Sequence, residues 1–200
     1  MKQQKFIIAI TGASGSIYGL RLISALMTLP VRLYVLVSES GRQVMAHETD
    51  FKSGSFADYL KQNDIVFHDM SELMEIDPSD SFASIASGSF QHDGMVISPC
   101  SMNTLAAIST GVTNNLIHRA ADVCLKEKRP LILLPRETPL SLLHLKNMTR
   151  AAEAGATIMP PSPGFYTRPE TIEDLADTIV ARVLDHLGID EHALVTRWGG

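Results

Sequence analysis

The sequence predicts a single α/β domain, a parallel sheet covered by helices on both faces. Three observations lead there. Short apolar runs alternate with stretches of helical period along the whole chain. The runs are nearly continuous in Ile, Val and Leu rather than alternating with polar residues, as strands buried on both faces require. The first run opens directly into a glycine loop followed by a helix, the usual start of a βαβ unit. A length of 200 residues suits one domain with a sizeable core.

The elements follow in order. Lys5–Thr11 reads as a buried strand, Gly12–Ser16 as a loop and Ile17–Leu29 as a helix. Val31–Val37 is a second strand and Ser40–Thr49 a second helix. A loop at Lys52–Ser55 leads to a short helix, Phe56–Gln62, and Ile65–His68 reads as a weak strand. Met70–Gln91 is polar and serine-rich, so mostly loop. Gly94–Ser98 is a strand entering Pro99. Thr104–Ser109 and Leu116–Lys128 are helical, divided by Gly111 and Asn114-Asn115. Pro130–Leu134 is a strand, Leu140–Ala154 a helix and Ala156–Met159 a last strand. Pro160–Pro169 is a stiff Pro/Gly loop, and Thr171–Leu187 a helix with Thr171 as N-cap and Gly188 as C-cap. Residues 1–188 thus form the domain and 189–200 a tail. In such a sheet, ligands bind at the carboxyl ends of the strands.

Composition narrows the function classes. A net charge of −5 argues against nucleic-acid binding, so an anionic ligand must be held by local basic residues. Cys100 and Cys124, without CxxC spacing, suit a reducing cytoplasm and offer no zinc site, and no metal is expected. The opening lysines precede an apolar run, Phe6–Ile10, that is shorter than the core of a signal peptide. No stretch approaches the ~20 apolar residues of a membrane span.

Thr11-Gly12-Ala13-Ser14-Gly15-Ser16 between strand and helix is an arrangement suited to phosphate. Glycines admit an anion to the backbone, the helix N-terminus presents N–H groups, and Ser14 and Ser16 add hydroxyls. The plain alternative is a tight turn without ligand. The loop lacks the GK[ST] of a Walker A motif and the glycines of GxGxxG, where Ser14 and Ile17 stand instead. Short-chain dehydrogenases come nearer, and Glu39 could serve as a ribose-binding acid, but no Tyr is followed four residues on by Lys. A mononucleotide such as FMN fits better than NAD.

Several segments together resemble the UbiX-type flavin prenyltransferases: Thr11–Gly19, Glu48-Thr49-Asp50, Ser87–Phe90, Pro99–Leu105, Arg119–Pro130, Arg136–Leu140, His144–Met148 and Pro160–Tyr166. They run in family order over nearly the whole chain. The resemblance implies a flavodoxin-like or Rossmann-like sheet and a homo-oligomer, a dodecamer built from trimers. It implies metal-independent transfer of a dimethylallyl group from dimethylallyl monophosphate to N5 and C6 of reduced FMN. The prenylated FMN would serve UbiD-type decarboxylases, as in ubiquinone biosynthesis. FMN contacts are then expected from Ala13, Ser14, Gly15, Ser38, Ser101, Met102, Asn103, Thr104 and Arg136. Arg119, Lys126, Tyr166, Arg182 and Ser87 are expected around the prenyl phosphate, with Tyr166 and Arg182 at a subunit junction.

The reaction so implied needs cations for the departing phosphate, a proton acceptor and exclusion of water. Glu137, after an apolar strand and beside Arg136, is the leading acid/base, since a carboxylate there is costly unless paired or functional. Glu48, Ser14 and Lys126 complete the catalytic candidates. Arg119 and Lys126, seven apart, share a helix face. The plain alternative for Arg119, Lys126 and Arg182 is a surface cation paired with Asp122, Glu127 or Asp185. Cys100 reads as a packed residue and His144 as structural, and His92 lacks a partner at ligand spacing. Some relatives carry a tryptophan ahead of the Ser-Gly-Ser segment, where the nearest aromatic here is Phe82 and the single tryptophan is Trp198. A related FMN-dependent decarboxylase of cysteine-derived carboxylates is the nearest rival. Pro99–Leu105 lacks the Met-Trp pair of that group, and Ser87–Phe90 stands where it places a catalytic histidine. A flavin carrier without chemistry would not need the Arg/Lys/Glu/Tyr set.

Overall fold

A computed structural model describes residues 3–51, 54–190, 192 and 194. Parts of the expected loop at Lys52–Ser55 and of the expected tail, with Trp198, lie outside the described residues. Six parallel strands form one sheet: β1 (Gln4–Ile10), β2 (Val31–Val37), β3 (Glu72–Glu75), β4 (Gly94–Cys100), β5 (Leu131–Pro135) and β6 (Thr157–Ile158). Their order is β3-β2-β1-β4-β5-β6, that of the doubly wound dinucleotide-binding sheet. The direction of winding reverses between β1 and β4, which opens a crevice at their carboxyl ends.

Alternate residues along each strand serve opposite faces. Phe6, Ile8 and Ile10 of β1 join a core with α1 (Ser16–Met27), α2 (Glu39–Glu48), α3 (Phe56–Gln62) and α7 (Ile172–His186). Ile7 and Ala9 join the other core, with α4 (Met102–Thr110), α5 (Leu116–Lys126) and α6 (Leu142–Glu153). All residues of β4 and β5 are buried, which explains their unbroken apolar composition. Arg21 of α1 grips Asp177 of α7 with both sides of its guanidinium, Nε donating to Oδ1 at 2.8 Å, so the first and last helices are tied across one face.

Two expectations need correction. Ile65–His68 is not a strand: its backbone is tied to α3 and the end of α1, Ile65 N–H to the Leu60 carbonyl and His68 N–H to that of Met27. Its apolar character comes from Ile65 and Phe67 packing on the core. The strand lies later, at Glu72–Glu75, inside the stretch read as loop. It pairs only with β2, and as an edge strand with exposed residues it lacks an apolar signature. Among the described residues, no helix is long and apolar enough to cross a membrane.

Candidate active site

The carboxyl ends of β1 and β4 are joined through Thr11, a residue not singled out in the sequence. Its N–H and Oγ1 both donate to the Pro99 carbonyl, at 3.1 and 2.9 Å, while Oγ1 accepts from Ser101 N–H at 2.8 Å. The register of β4 against β5 shifts between Ile97 and Cys100. Pro99 has no N–H for a ladder, and its carbonyl turns to Thr11. Buried Thr11 thereby sets the distance between the glycine loop and the Ser101–Thr104 turn.

The glycine loop leads into α1 through Gly15, at φ 103, a backbone region that disfavours side chains. Two of its donors are already engaged by a side chain. Glu48, at the end of α2, accepts from Gly15 N–H at 2.9 Å and Ser16 N–H at 3.1 Å through the same oxygen, Oε2. Burial works against the charged form, yet hydrogen bonds from Ser14, Ser16 and Gly15 outweigh it and hold the Glu48 carboxyl below its ordinary value. The expectation of free N–H groups at this helix start is therefore corrected for Gly15 and Ser16: a carboxylate from the same chain occupies theirs.

Ser38 and Ser101 are N-caps in the same crevice. Ser38 Oγ accepts from Gly41 N–H at 3.0 Å, and Ser101 Oγ from Thr104 N–H at 3.3 Å. A cap satisfies only some of the N–H groups in a helix's first turn, so α4 presents Met102 and Asn103 at the crevice as a potential anion seat. Arg136, just past β5, donates from Nε to the Ser14 carbonyl at 3.1 Å. This clasp draws the loops after β1 and β5 together, so Ala13–Gly15, Ser38, Glu48, Ser101–Thr104 and Arg136 converge on one edge. Glu137 follows on that edge. It is exposed, and its carboxylate accepts from Thr138 N–H at 3.0 Å. Within one protomer the expected desolvation cost at Glu137 is therefore absent.

The remaining candidates lie elsewhere. Residues 87–93 precede β4, and Lys126–Pro130 precede β5, so Ser87 and Lys126 sit toward the amino edge of the sheet. Arg119 shares that face of α5, donating to the Ala86 carbonyl at 3.1 Å and pairing with Asp122 at 2.8 Å. Lys126 pairs with Glu127 at 2.6 Å and Arg182 with Asp185 at 2.9 Å. Each cation thus has the local partner that the plain alternative named. Tyr166 is 85% exposed in the loop after β6, and Phe82 is 98% exposed. An open cavity of about 590 Å³ lies beside Arg119, lined by Ser79, Ser81, Thr113, Asn114 and Asn115. None of the glycine-loop crevice residues is among its lining.

Cys100 and His144 behave as expected. Burial pushes the Cys100 thiol up to about 12, so it is no nucleophile at neutral pH. His144 closes a capping box, its Nδ1 accepting from Ser141 N–H at 3.3 Å. Buried His92 stands 3.9 Å from Cys124 Sγ, and among the described residues no group of three or more His, Cys, Asp or Glu could hold a metal ion.

A parallel doubly wound sheet with convergent caps, a glycine loop and an arginine at its switch point defines a nucleotide-binding α/β protein. The model of the flavoprotein family matches residues 1–184, and the chain belongs to that family, alongside relatives that are UbiX flavin prenyltransferases. It is 44% identical to flavin prenyltransferase UbiX of Halalkalibacterium halodurans, over 97% of this chain and 93% of that one. It is 45% identical to UbiX of Methanothermobacter thermautotrophicus, over 100% and 98%. The crystal structure of AnUbiX in complex with FMN and dimethylallyl pyrophosphate superposes with a TM-score of 0.87 at 41% identity, covering 100% of this chain and 99% of that one. A dodecameric FMN-dependent UbiX-like decarboxylase from Escherichia coli matches with a TM-score of 0.85 at 40% identity, covering 98% and 100%. The cysteine decarboxylase TvaF, at 16% identity and a TM-score of 0.56 over 94% and 99%, shares the fold alone.

Proposed function

We propose that this chain is a metal-independent flavin prenyltransferase that joins a dimethylallyl group to N5 and C6 of reduced FMN. The donor is dimethylallyl monophosphate, and the prenylated FMN passes to a UbiD-type decarboxylase in the cytoplasm. The observation that carries the reading is the Arg136–Ser14 clasp beside Glu48 and Glu137, a cation, a hydroxyl and two carboxylates at the switch point of a flavoprotein sheet.

FMN lies in the crevice against Ala13, Ser14, Gly15, Ser38, Ser101, Met102, Asn103, Thr104 and Arg136. Its phosphate takes the start of α4, because the start of α1 already carries the Glu48 carboxylate. The reduced flavin supplies the nucleophilic nitrogen and carbon. In the overall reaction the C–O bond of the prenyl phosphate breaks and that carbon bonds to N5, which gives up its proton. The prenyl double bond takes a proton at its inner carbon and bonds through its far end to C6, which gives up its own, so phosphate and one net proton depart. Arg119, Lys126, Arg136, Tyr166, Arg182 and Ser87 receive the phosphate charge. Glu137 moves the proton, with Glu48 holding the loop that carries Ser14.

The separation of these residues within one protomer supports a homo-oligomer, of the dodecameric kind, in which the amino-edge set of one copy meets the crevice of another. Exposed Leu142, Leu143, Phe165 and Ile172 are suited to such contacts. The test is anaerobic incubation of the full chain with reduced FMN and dimethylallyl monophosphate, followed by mass spectrometry of the flavin. A flavin heavier by one five-carbon prenyl unit is expected; unaltered FMN would sink the proposal.

A further inference from the structure

The segment Ala86–Phe90 is held along α5 and the residues that follow it by alternate carbonyls. Arg119 Nε donates to Ala86 O at 3.1 Å. Arg129 donates from Nη1 to Phe90 O and from Nη2 to Gly88 O, both at 2.6 Å. One planar guanidinium thus fixes two carbonyls of the loop, a geometry that a lysine ammonium cannot reproduce. Arg129 is aimed by the close of α5: Lys128 adopts φ 55, and Arg129 N–H returns to the Cys124 carbonyl at 2.9 Å.

With those carbonyls turned toward α5, the intervening hydroxyls come together: Ser87 Oγ and Ser89 Oγ lie 2.8 Å apart, both on exposed residues. The loop then presses against Lys126. A Cβ at Gly88 would lie 2.7 Å from Lys126 Nζ and 2.3 Å from Glu127 Oε1. Lys126 thus lies against the glycine between the two serines, with Glu127 as the ammonium's resident counter-ion.

We propose that Arg129 is a positioning residue that sets the Ser87 and Ser89 hydroxyls beside the Lys126 ammonium, making one phosphate-receiving face. The idea rests on the proposed function for the identity of the phosphate, which is that of the prenyl donor. Arg129 itself does not touch it. An arriving phosphate displaces Glu127 from Lys126 and takes the serine hydroxyls as further donors.

The test uses the full chain with Arg129→Met, which keeps an apolar stem, and Arg129→Lys. Hydrogen exchange of the 87–91 amides, affinity for inorganic phosphate, and anaerobic steady-state kinetics are measured together. Arg129→Met is expected to speed exchange in this loop and to weaken inorganic phosphate about ten-fold, as loss of charged hydrogen bonds implies. The KM for dimethylallyl monophosphate rises by a similar factor, while kcat at saturation and FMN affinity stay within about two-fold. Arg129→Lys falls between, because it restores one donor. Unchanged phosphate affinity in Arg129→Met overturns the inference, as does a parallel fall of FMN affinity, kcat and Tm, which would mark a folding role. If phosphate binding depends on Arg129 but the wild-type chain leaves FMN unaltered, the proposed reaction falls and the phosphate face stands.

Discussion

Glu48→Gln isolates the charge that Glu48 brings to the start of α1. The amide oxygen can occupy the place of Oε2 and still accept from Gly15 and Ser16, so the change is electrostatic rather than geometric. A neutral hydrogen bond contributes about 1 kcal/mol net and a charged one roughly twice that. Two bonds to one charged oxygen therefore place about 2 kcal/mol on the charge, and the helix dipole adds about 0.5 kcal/mol. The residue is exposed, so solvent screening reduces this to about 1 kcal/mol. For a chain of this size that is a fall in Tm of about 2–4 °C, measured by calorimetry at one protein concentration because association shifts Tm. The pH dependence has a definite sign. The folded pKa of Glu48 is lowered, so its stabilisation is complete above the ordinary value of 4.5 and is lost as pH falls through the folded value. The wild-type advantage is therefore full at pH 7 and fades below 4.5, and added salt should also reduce it. Equal Tm values at pH 7, or a difference that persists after the carboxyl is protonated, would refute the assignment.

Three further outcomes are expected. Glu137→Gln should retain FMN yet lose prenyl transfer by about 10²–10⁴ in rate, read by flavin mass spectrometry; normal turnover would shift the acid/base role to Glu48. Tyr166→Phe should raise the KM for the prenyl donor with little change in kcat, and equal losses in both would contradict a binding role. Gly19→Ala should destabilise by about 1–3 kcal/mol, since its Cβ would lie 2.3 Å from the Ser98 carbonyl at the foot of the crevice; an unchanged denaturant midpoint would show that the strand end yields.

The helices and buried strands were legible because each carries its own signal. β2 matches Val31–Val37, α3 matches Phe56–Gln62, and Thr171 caps α7 while its own N–H donates to the Asp174 carboxylate. Gly188 takes the left-handed position, but one residue beyond the C-cap, Leu187. Edge strand β3 was not legible, since half of its environment is solvent. The crevice residues were named through the family resemblance; position alone made Ser101 and Thr104 helix-capping residues, the role their hydrogen bond shows. The clasp of Arg136 on Ser14 spans 122 positions, and the reach of Glu48 to Gly15 spans 33. No periodicity encodes such partners. Thr11 and Arg129 stand inside segments that resemble the family, but the backbone carbonyls they hold, 88, 41 and 39 positions away, carry no signal in the sequence.

The carboxylate of Glu48 also changes when the glycine loop becomes ordered. A loop that waits for a phosphate stays mobile until the ligand arrives, and its ordering entropy is subtracted from affinity. Here the anion is covalently part of the chain, delivered by α2 as that helix packs. The ordering cost falls within folding, and the crevice meets its ligand already shaped. Phosphate in the buffer should then leave the loop's amide exchange unchanged, whereas a chain with Glu48→Ala should exchange faster there and regain protection when acetate is supplied.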